Sequence, residues 1–316
     1  MGIHLLNTFI QSIYNNGSRI INLSELSDKK IVIDTSIYLY RFKALGGLLE
    51  NMYLMCSIMR FYNIHPLFIF DGKSDSNKDL TKQKRKVEKE KAKKEYEKLK
   101  KDLRTVNEEE KEVIEEKMNV LRRRFISIKK EDIENVKQLF EQYGISYLNA
   151  KGEADELCAA LVINGNAYAC LSEDTDMFAY GCPRILKYIS LMKHTVVMYP
   201  MNKMLQNIKV DFSNFQKMCI LSGTDYNFTK RNIFSYYSLY KRYINSKSSL
   251  DFLDWLSFKK YISVQTFNDV KDIYSLYNKD HKVILSNIKY LIIKNKKINF
   301  KGLQSVLKKE NFIFSY

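Results

Sequence analysis

The chain has 316 residues, 45% of them hydrophobic and 28% charged, and its 52 Lys and Arg against 36 Asp and Glu give a formal net charge of +16. That length and apolar fraction suit a globular protein of one large or two modest domains, and the charge points to a polyanion, nucleic acid ahead of an anionic membrane surface. No apolar run reaches the ~18 residues of a spanning helix, there is no secretory h-region, and Leu6 breaks the myristoylation pattern in "MGIHLL", so a soluble intracellular protein is expected.

In chain order, "KKIVIDTSIYLYRF" reads as a buried strand, Ile31 to Ile33, that ends at Asp34 and runs into a helix. A longer helical pattern follows in "ENMYLMCSIMRFYNI", and "HPLFIFDGK" gives a second apolar strand, Leu67 to Phe70, ending at Asp71. Between Lys73 and Lys130 charge dominates. This stretch reads as one or two long helices, basic at both ends and acidic in the middle, inserted between two strands; a solvated spacer or disorder fits the composition equally well. In "KEDIENVKQLFEQYG", Ile133, Val136, Phe140 and Tyr143 share one helical face and Gly144 stops the helix; "ISYLNA" follows as a strand. "KGEADELCAALVING" is a helix with acids in its first turn, and "AYACLS" a strand ahead of Asp174. From about Met201 the strand signal fades, and "DFSNFQKMCILSGTDYN", "SLDFLDWLSF" and "VKDIYSLYNKDHKVILSNIKYLIIKNKK" read as amphipathic helices with basic surfaces. The alternation predicts an α/β fold, a mostly parallel sheet with helices on both faces. Residues 1–72 and 131–226 form one sheet domain, 73–130 an insertion, and 227–316 a helical C-terminal region.

In open α/β sheets the functional crevice lies at the carboxyl ends of the strands, where Asp34, Asp71 and Asp174 stand. Glu153, Asp155, Asp176 and Asp225 are positioned to join them. Singly, each acid has an ordinary explanation, such as a favourable place at a helix N-terminus. Seven like charges in one cleft repel unless cations compensate them, and oxygen-only donors suit Mg²⁺ or Mn²⁺. Cys56, Cys158, Cys170, Cys182 and Cys219 form no C-x-x-C pair and read as buried thiols, while His4, His65, His194 and His281 carry no motif. Paired divalent ions roughly 4 Å apart are the common arrangement for phosphodiester hydrolysis, so a basic protein with an acidic cleft is a nuclease candidate.

In this order, "MGI", "VIDTSIYLYRF", "FIFDGK", "GEADELCAALV", "SEDTDMFAYG" and "ILSGTDY" resemble the flap endonuclease and XPG-like structure-specific nucleases, over about Met1 to Tyr226. The resemblance implies a PIN-like α/β nuclease domain with the charged insertion as a helical arch. It also implies cleavage of DNA flaps or junctions with two Mg²⁺ ions, Mn²⁺ substituting, by a monomer acting in replication, repair or recombination, in the nucleus or at a cytoplasmic site of DNA replication. It assigns Asp34, Asp71, Glu153, Asp155, Asp174, Asp176 and Asp225 as metal carboxylates, Asp155 standing where flap endonucleases carry Glu and resembling the 5′ exonucleases there. Lys78 and Arg85 match the arch cations at the scissile phosphate, Tyr40 matches the base-stacking tyrosine or is one more core aromatic, and Gly2 is a DNA-contacting position. Where the family carries a Gly-x-Gly hairpin on the duplex, this chain has Asn232, Ile233 and Phe234. A duplex grip then falls to Lys230, Arg231, Lys241 and Arg242. "QSVLKKENF" spaces Gln304 and Leu307 as a sliding-clamp peptide does but puts Glu310 and Asn311 at the aromatic positions, so clamp binding is not expected. The alternatives are a catalytically silent junction-binding protein, which lost carboxylates would mark, a 5′ exonuclease, a junction resolvase, or an RNA-directed PIN-type nuclease.

Overall fold

Ile31, Val32 and Ile33 form an unbroken β-branched run, suited to a strand buried on both faces, and all three are at most 1% exposed in the computed structural model. The structure describes residues 2–13, 18–72, 79–103, 124–227, 231–286 and 293–310, together with 114, 117–118, 120–122, 229, 288 and 312; at 13, 79–82 and 84–85 only the backbone is described. The strands are β1 (Arg19–Asn22), β2 (Lys30–Asp34), β3 (His65–Phe70), β4 (Ser146–Asn149), β5 (Ala169–Leu171), β6 (Arg184–Ser190) and β7 (Thr195–Pro200). They make one sheet in the order β1-β7-β6-β5-β2-β3-β4. The pairs from β6 to β4 are parallel, and β6–β7 and β7–β1 are antiparallel. The mostly parallel sheet is as expected; β1 and the β6–β7 hairpin were not read from the sequence.

The helices are α1 (Leu6–Ile13), α2 (Thr35–Leu45), α3 (Leu48–Phe61), α4 (Asp79–Asp102), α5 (Lys130–Tyr143), α6 (Ala154–Ile163), α7 (Asp176–Ala179), α8 (Met201–Ile208), α9 (Phe212–Leu221), α10 (Ile233–Asn245), α11 (Phe252–Phe258), α12 (Val264–Tyr277), α13 (His281–Leu285) and α14 (Phe300–Leu307). Successive strand residues face opposite sides, and each side has its own core. Val32, Leu67, Ile69 and Cys170 pack under α1, α6 and the C-terminal helices, while Ile31, Ile33, Phe68, Phe70 and Leu171 pack under α2, α3, α5 and α14. All five cysteines are free and buried. Gly144 ends α5 at φ 69°, the left-handed cap that its place in the sequence anticipated.

Helix α4 is 24 residues long and strongly charged, as the insertion pattern led one to expect. Its later part meets the returning chain through Tyr96 and Phe125, ring centroids 5.2 Å apart; the acidic middle, 104–113, lies outside the described residues. Among the described residues no helix is long and apolar enough to cross a membrane.

Candidate active site

Strands β5, β2 and β3 are neighbours, and each ends on or just before an acid. Asp34 is the last residue of β2 and the N-cap of α2: Ser36 N–H donates to its Oδ1 at 3.2 Å and Ser172 Oγ–H to its Oδ2 at 3.2 Å. Asp71 follows β3 and accepts the Ala154 N–H at 2.8 Å, which ties the strand end to the first residue of α6, and it also accepts the Ser36 hydroxyl. Gly72 makes this join possible, because a Cβ there would lie 2.1 Å from the Ala150 carbonyl oxygen. Glu153 is the N-cap of α6 and Asp155 lies in its first turn. After β5, Ser172 Oγ accepts the Asp174 N–H at 3.1 Å and Asp174 Oδ1 accepts the Asp176 N–H at 3.0 Å, so the loop folds around its own acids.

Electrostatics gather five of the acids into one group. Burial, then the charges of Asp71 and Asp174, push the Asp34 carboxyl up to about 7 from its ordinary 3.8. Burial, followed by Asp34, Asp174, Asp176 and Asp71, raises Asp155 well above the usual carboxylate range. Asp155 Oδ1 is buried and finds no hydrogen-bond partner among the described residues, a costly arrangement for a carboxylate unless something cationic meets it. Among the described residues no three candidate ligands already stand at the spacing of one ion's shell. An orphaned carboxylate oxygen amid hard oxygen donors nevertheless fits Mg²⁺ or Mn²⁺.

Glu153 is linked to this group through Tyr180, and Asp225 through the residue that follows it, Tyr226. The charge of Glu153 acts with those of Asp155 and Asp176 on the buried Tyr180 hydroxyl. Asp225 lies in the turn after α9, where Asn227 Oδ1 accepts both the N–H and the hydroxyl of Thr224 at 2.9 Å. The next residue, Tyr226, meets Tyr277 edge-on at 5.8 Å, and Tyr277 Oη–H donates to Asp176 Oδ2 at 2.9 Å. Gly2 closes the site from the N-terminal side. At φ +80°, its Cα approaches the acid loop so closely that a Cβ would lie 2.3 Å from Asp174 Oδ1 and from Thr175 Oγ1, and the Ile3 N–H donates to Thr175 Oγ1 at 2.7 Å.

The two family models that match this chain cover both halves of that arrangement: XPG N-terminal domain over residues 1–92 and XPG I-region over residues 144–225. The chain belongs to the flap endonuclease and XPG-like family. Flap endonuclease 1-B of Xenopus laevis is 28% identical over 251 residues, 74% of this chain and 63% of that protein. Flap endonuclease 1 of Methanococcus aeolicus is 27% identical over 309 residues, 92% and 86% of the two chains. The chain thus spans about 63% of the length of the Xenopus relative. Among solved structures, the catalytic core of Rad2 in complex with DNA substrate superposes with a TM-score of 0.66 at 20% identity, over 98% of this chain and 94% of that one. Human GEN1 in complex with Holliday junction DNA gives 0.62 at 16% identity over 98% and 73%. The flap endonuclease-1 of Methanococcus jannaschii gives 0.56 at 20% identity over 93% and 95%. The fold is PIN-like.

Tyr40 is 44% exposed whereas Tyr38 is fully buried, so of the two it is Tyr38 that belongs to the core. Lys89 of α4 lies over the Tyr40 ring, Nζ 5.3 Å from its centroid. Lys78 and Lys230 lie outside the described residues, and of Arg85 only the backbone, within α4, is described. In place of a glycine hairpin, Asn232 caps α10 by accepting the Ser235 N–H, with Ile233 buried behind it. Arg231 donates to the Tyr261 carbonyl at 3.0 Å, and Lys241 of α10 covers the Tyr237 ring; Arg242 is exposed on the same helix. Sequence reasoning missed Ser36, Ser172 and Tyr277, which hold the carboxylates. The serines stand two residues from acids already singled out, and that spacing was the available signal; Tyr277 is one of 22 tyrosines and gave none.

Proposed function

We propose that this protein is a Mg²⁺-dependent, structure-specific 5′ nuclease of the flap endonuclease type that hydrolyses DNA phosphodiesters at flaps or junctions. The observation that carries the reading is Asp155: a carboxylate raised by burial and then by Asp34, Asp174, Asp176 and Asp71, one oxygen buried without a hydrogen-bond partner among the described residues, at the carboxyl ends of three parallel strands. Asp34, Asp71, Glu153, Asp155, Asp174, Asp176 and Asp225 are the residues that would hold two divalent ions, which when bound supply water activation and charge neutralisation at the scissile phosphate.

The chain's own groups do the rest. Ser36 and Ser172 fix the Asp34 carboxylate and Tyr277 fixes Asp176, so the acids need little reorganisation when substrate arrives. Lys78 and Arg85 neutralise developing phosphate charge, and Tyr40 stacks a base once Lys89 leaves its ring. Base–aromatic stacking of this kind is worth roughly 1–3 kcal/mol. The basic surface, including Arg231, Lys241 and Arg242, takes the backbone of the duplex and makes binding steeply salt-dependent. A side-chain grip replaces the close backbone approach that glycines would allow.

A cleavage assay in Mg²⁺ on labelled 5′-flap, nicked, blunt, four-way-junction and RNA substrates tests this. Fastest turnover on the flap, lost on chelation, is the expected result. Preference for the four-way junction or for blunt 5′ ends makes the protein a resolvase or an exonuclease, preference for RNA reassigns the substrate, and junction binding without cleavage of any substrate refutes the enzyme reading.

A further inference from the structure

A lysine with no exposed surface stands behind the acid loop. Lys187 lies in β6, and its hydrogen-bond partners among the described residues are neutral: Nζ donates to the Glu173 backbone carbonyl at 2.8 Å and to Asn7 Oδ1 at 3.2 Å. The strand is deformed at this point. The pairing of β6 with β7 shifts register between Lys187 and Ser190, and Tyr188 takes φ +57°. The Tyr188 N–H donates to Glu173 Oε1 at 2.8 Å. Bulges re-aim side chains, and this one directs an ammonium and an amide at a single residue, Glu173, immediately before Asp174. Asn7 belongs to α1, and Gly2 and Ile3, just before that helix, press on Asp174 and Thr175. One ammonium thus links β6, α1 and the acid loop from inside the protein.

Burying an ammonium is expensive, and an apolar residue of similar volume would usually serve the fold as well. Burial lowers the Lys187 pKa, while the charges of Glu173 and Asp174 oppose that shift. What an apolar residue cannot supply is a fixed positive charge beside a crevice lined with carboxylates. We infer that Lys187 is the internal counter-cation and positioning residue of the acid loop: it fixes the loop through Glu173 and weakens the crevice's hold on divalent cations. The inference rests on the proposed metal reading of Asp174 and Asp176.

Removing one positive charge from a site of low effective dielectric strengthens its attraction for a doubly charged ion. Calorimetric titration of the full chain with Mg²⁺ alone, without DNA, measures this directly for the wild type, Lys187→Arg, Lys187→Gln and Lys187→Met. The Arg variant should bind within about twofold of wild type, and the two neutral variants about fivefold more tightly. At saturating Mg²⁺ the neutral variants should also lose roughly tenfold in single-turnover rate as the loop shifts, with Arg restoring it. Should the Met variant not fold, Gln, which keeps an N–H donor, carries the same comparison. Equal Mg²⁺ affinity for Arg and Gln overturns the counter-cation, and affinity falling in step with thermal stability in all three makes Lys187 merely structural. A wild type that takes up no Mg²⁺ overturns the metal reading and this inference together, whereas uptake indifferent to the charge at 187 overturns this inference alone.

Discussion

Replacing Asp34 by Asn should stabilise the metal-free protein while destroying the candidate centre. Burial, then the charges of Asp71 and Asp174, push Asp34 up to about 7 from 3.8. At about 1.4 kcal/mol per pH unit, keeping it ionised above pH 7 costs the native state at most about 4 kcal/mol relative to the unfolded chain. Asn caps a helix as well as Asp does, so the bond from Ser36 N–H survives; losing the acceptor of Ser172 Oγ–H gives back about 1 kcal/mol. The net gain of about 2–3 kcal/mol should raise the melting temperature by roughly 3–5 °C in a chain this long. The sign with pH follows from linkage: between about 4 and about 7 the native state holds a proton that the unfolded state has released, so wild-type stability climbs as pH falls through that window. The advantage of Asp34→Asn should therefore be largest at pH 8 in chelator and shrink towards pH 5. Thermal melts of both proteins across that range decide it. An Asn variant that melts below wild type at pH 8, or with an advantage independent of pH, would refute the reasoning.

Asp174→Ala should abolish cleavage while leaving junction affinity within about threefold, because it damages the ion site and spares the basic surface; more than about a tenth of wild-type turnover at saturating Mg²⁺ removes Asp174 from the metal ligands. Gly2→Ala forces a Cβ to within 2.3 Å of Asp174 Oδ1 at φ +80°. Displacing the acid loop in this way should lower single-turnover cleavage about tenfold or more at saturating DNA, measured on one flap substrate. Tyr277→Phe leaves Asp176 Oδ2 without its hydroxyl donor and should lower stability by about 1–3 kcal/mol in urea unfolding. Arg85→Ala should slow single-turnover cleavage roughly 10²-fold at nearly constant affinity if the arch stabilises the scissile phosphate; weaker binding at an unchanged rate makes the arch a tether.

Strands β2, β3 and β5 were legible because each is an apolar run closed by an acid, a pattern that gives both the strand and the rim it points to. The hairpin was not. "RILKYIS" carries Lys187 in mid-strand, and a lone lysine reads as a solvated face; only the bulge and the carbonyl of Glu173 explain why it is inside. The four-residue β1 is too short to show a period, and it exists because β7 offers it a partner. At the site, the acids announce themselves by residue type and place, whereas Tyr277 comes from a helix a hundred residues away. Which tyrosine among 22 arrives there is decided by the docking of α12, not by any local pattern.

The bond from Tyr277 to Asp176 spans 101 positions in the chain, and this has a bearing on synthesis. During translation the sheet and its first acids can form when residues to about 200 have emerged, as N-terminal units do. The support of Asp176 cannot, since it waits for α12. A ribosome-bound chain stopped before Tyr277 therefore carries an acid loop without its brace, and the complete site comes into being only once α12 has emerged and docked.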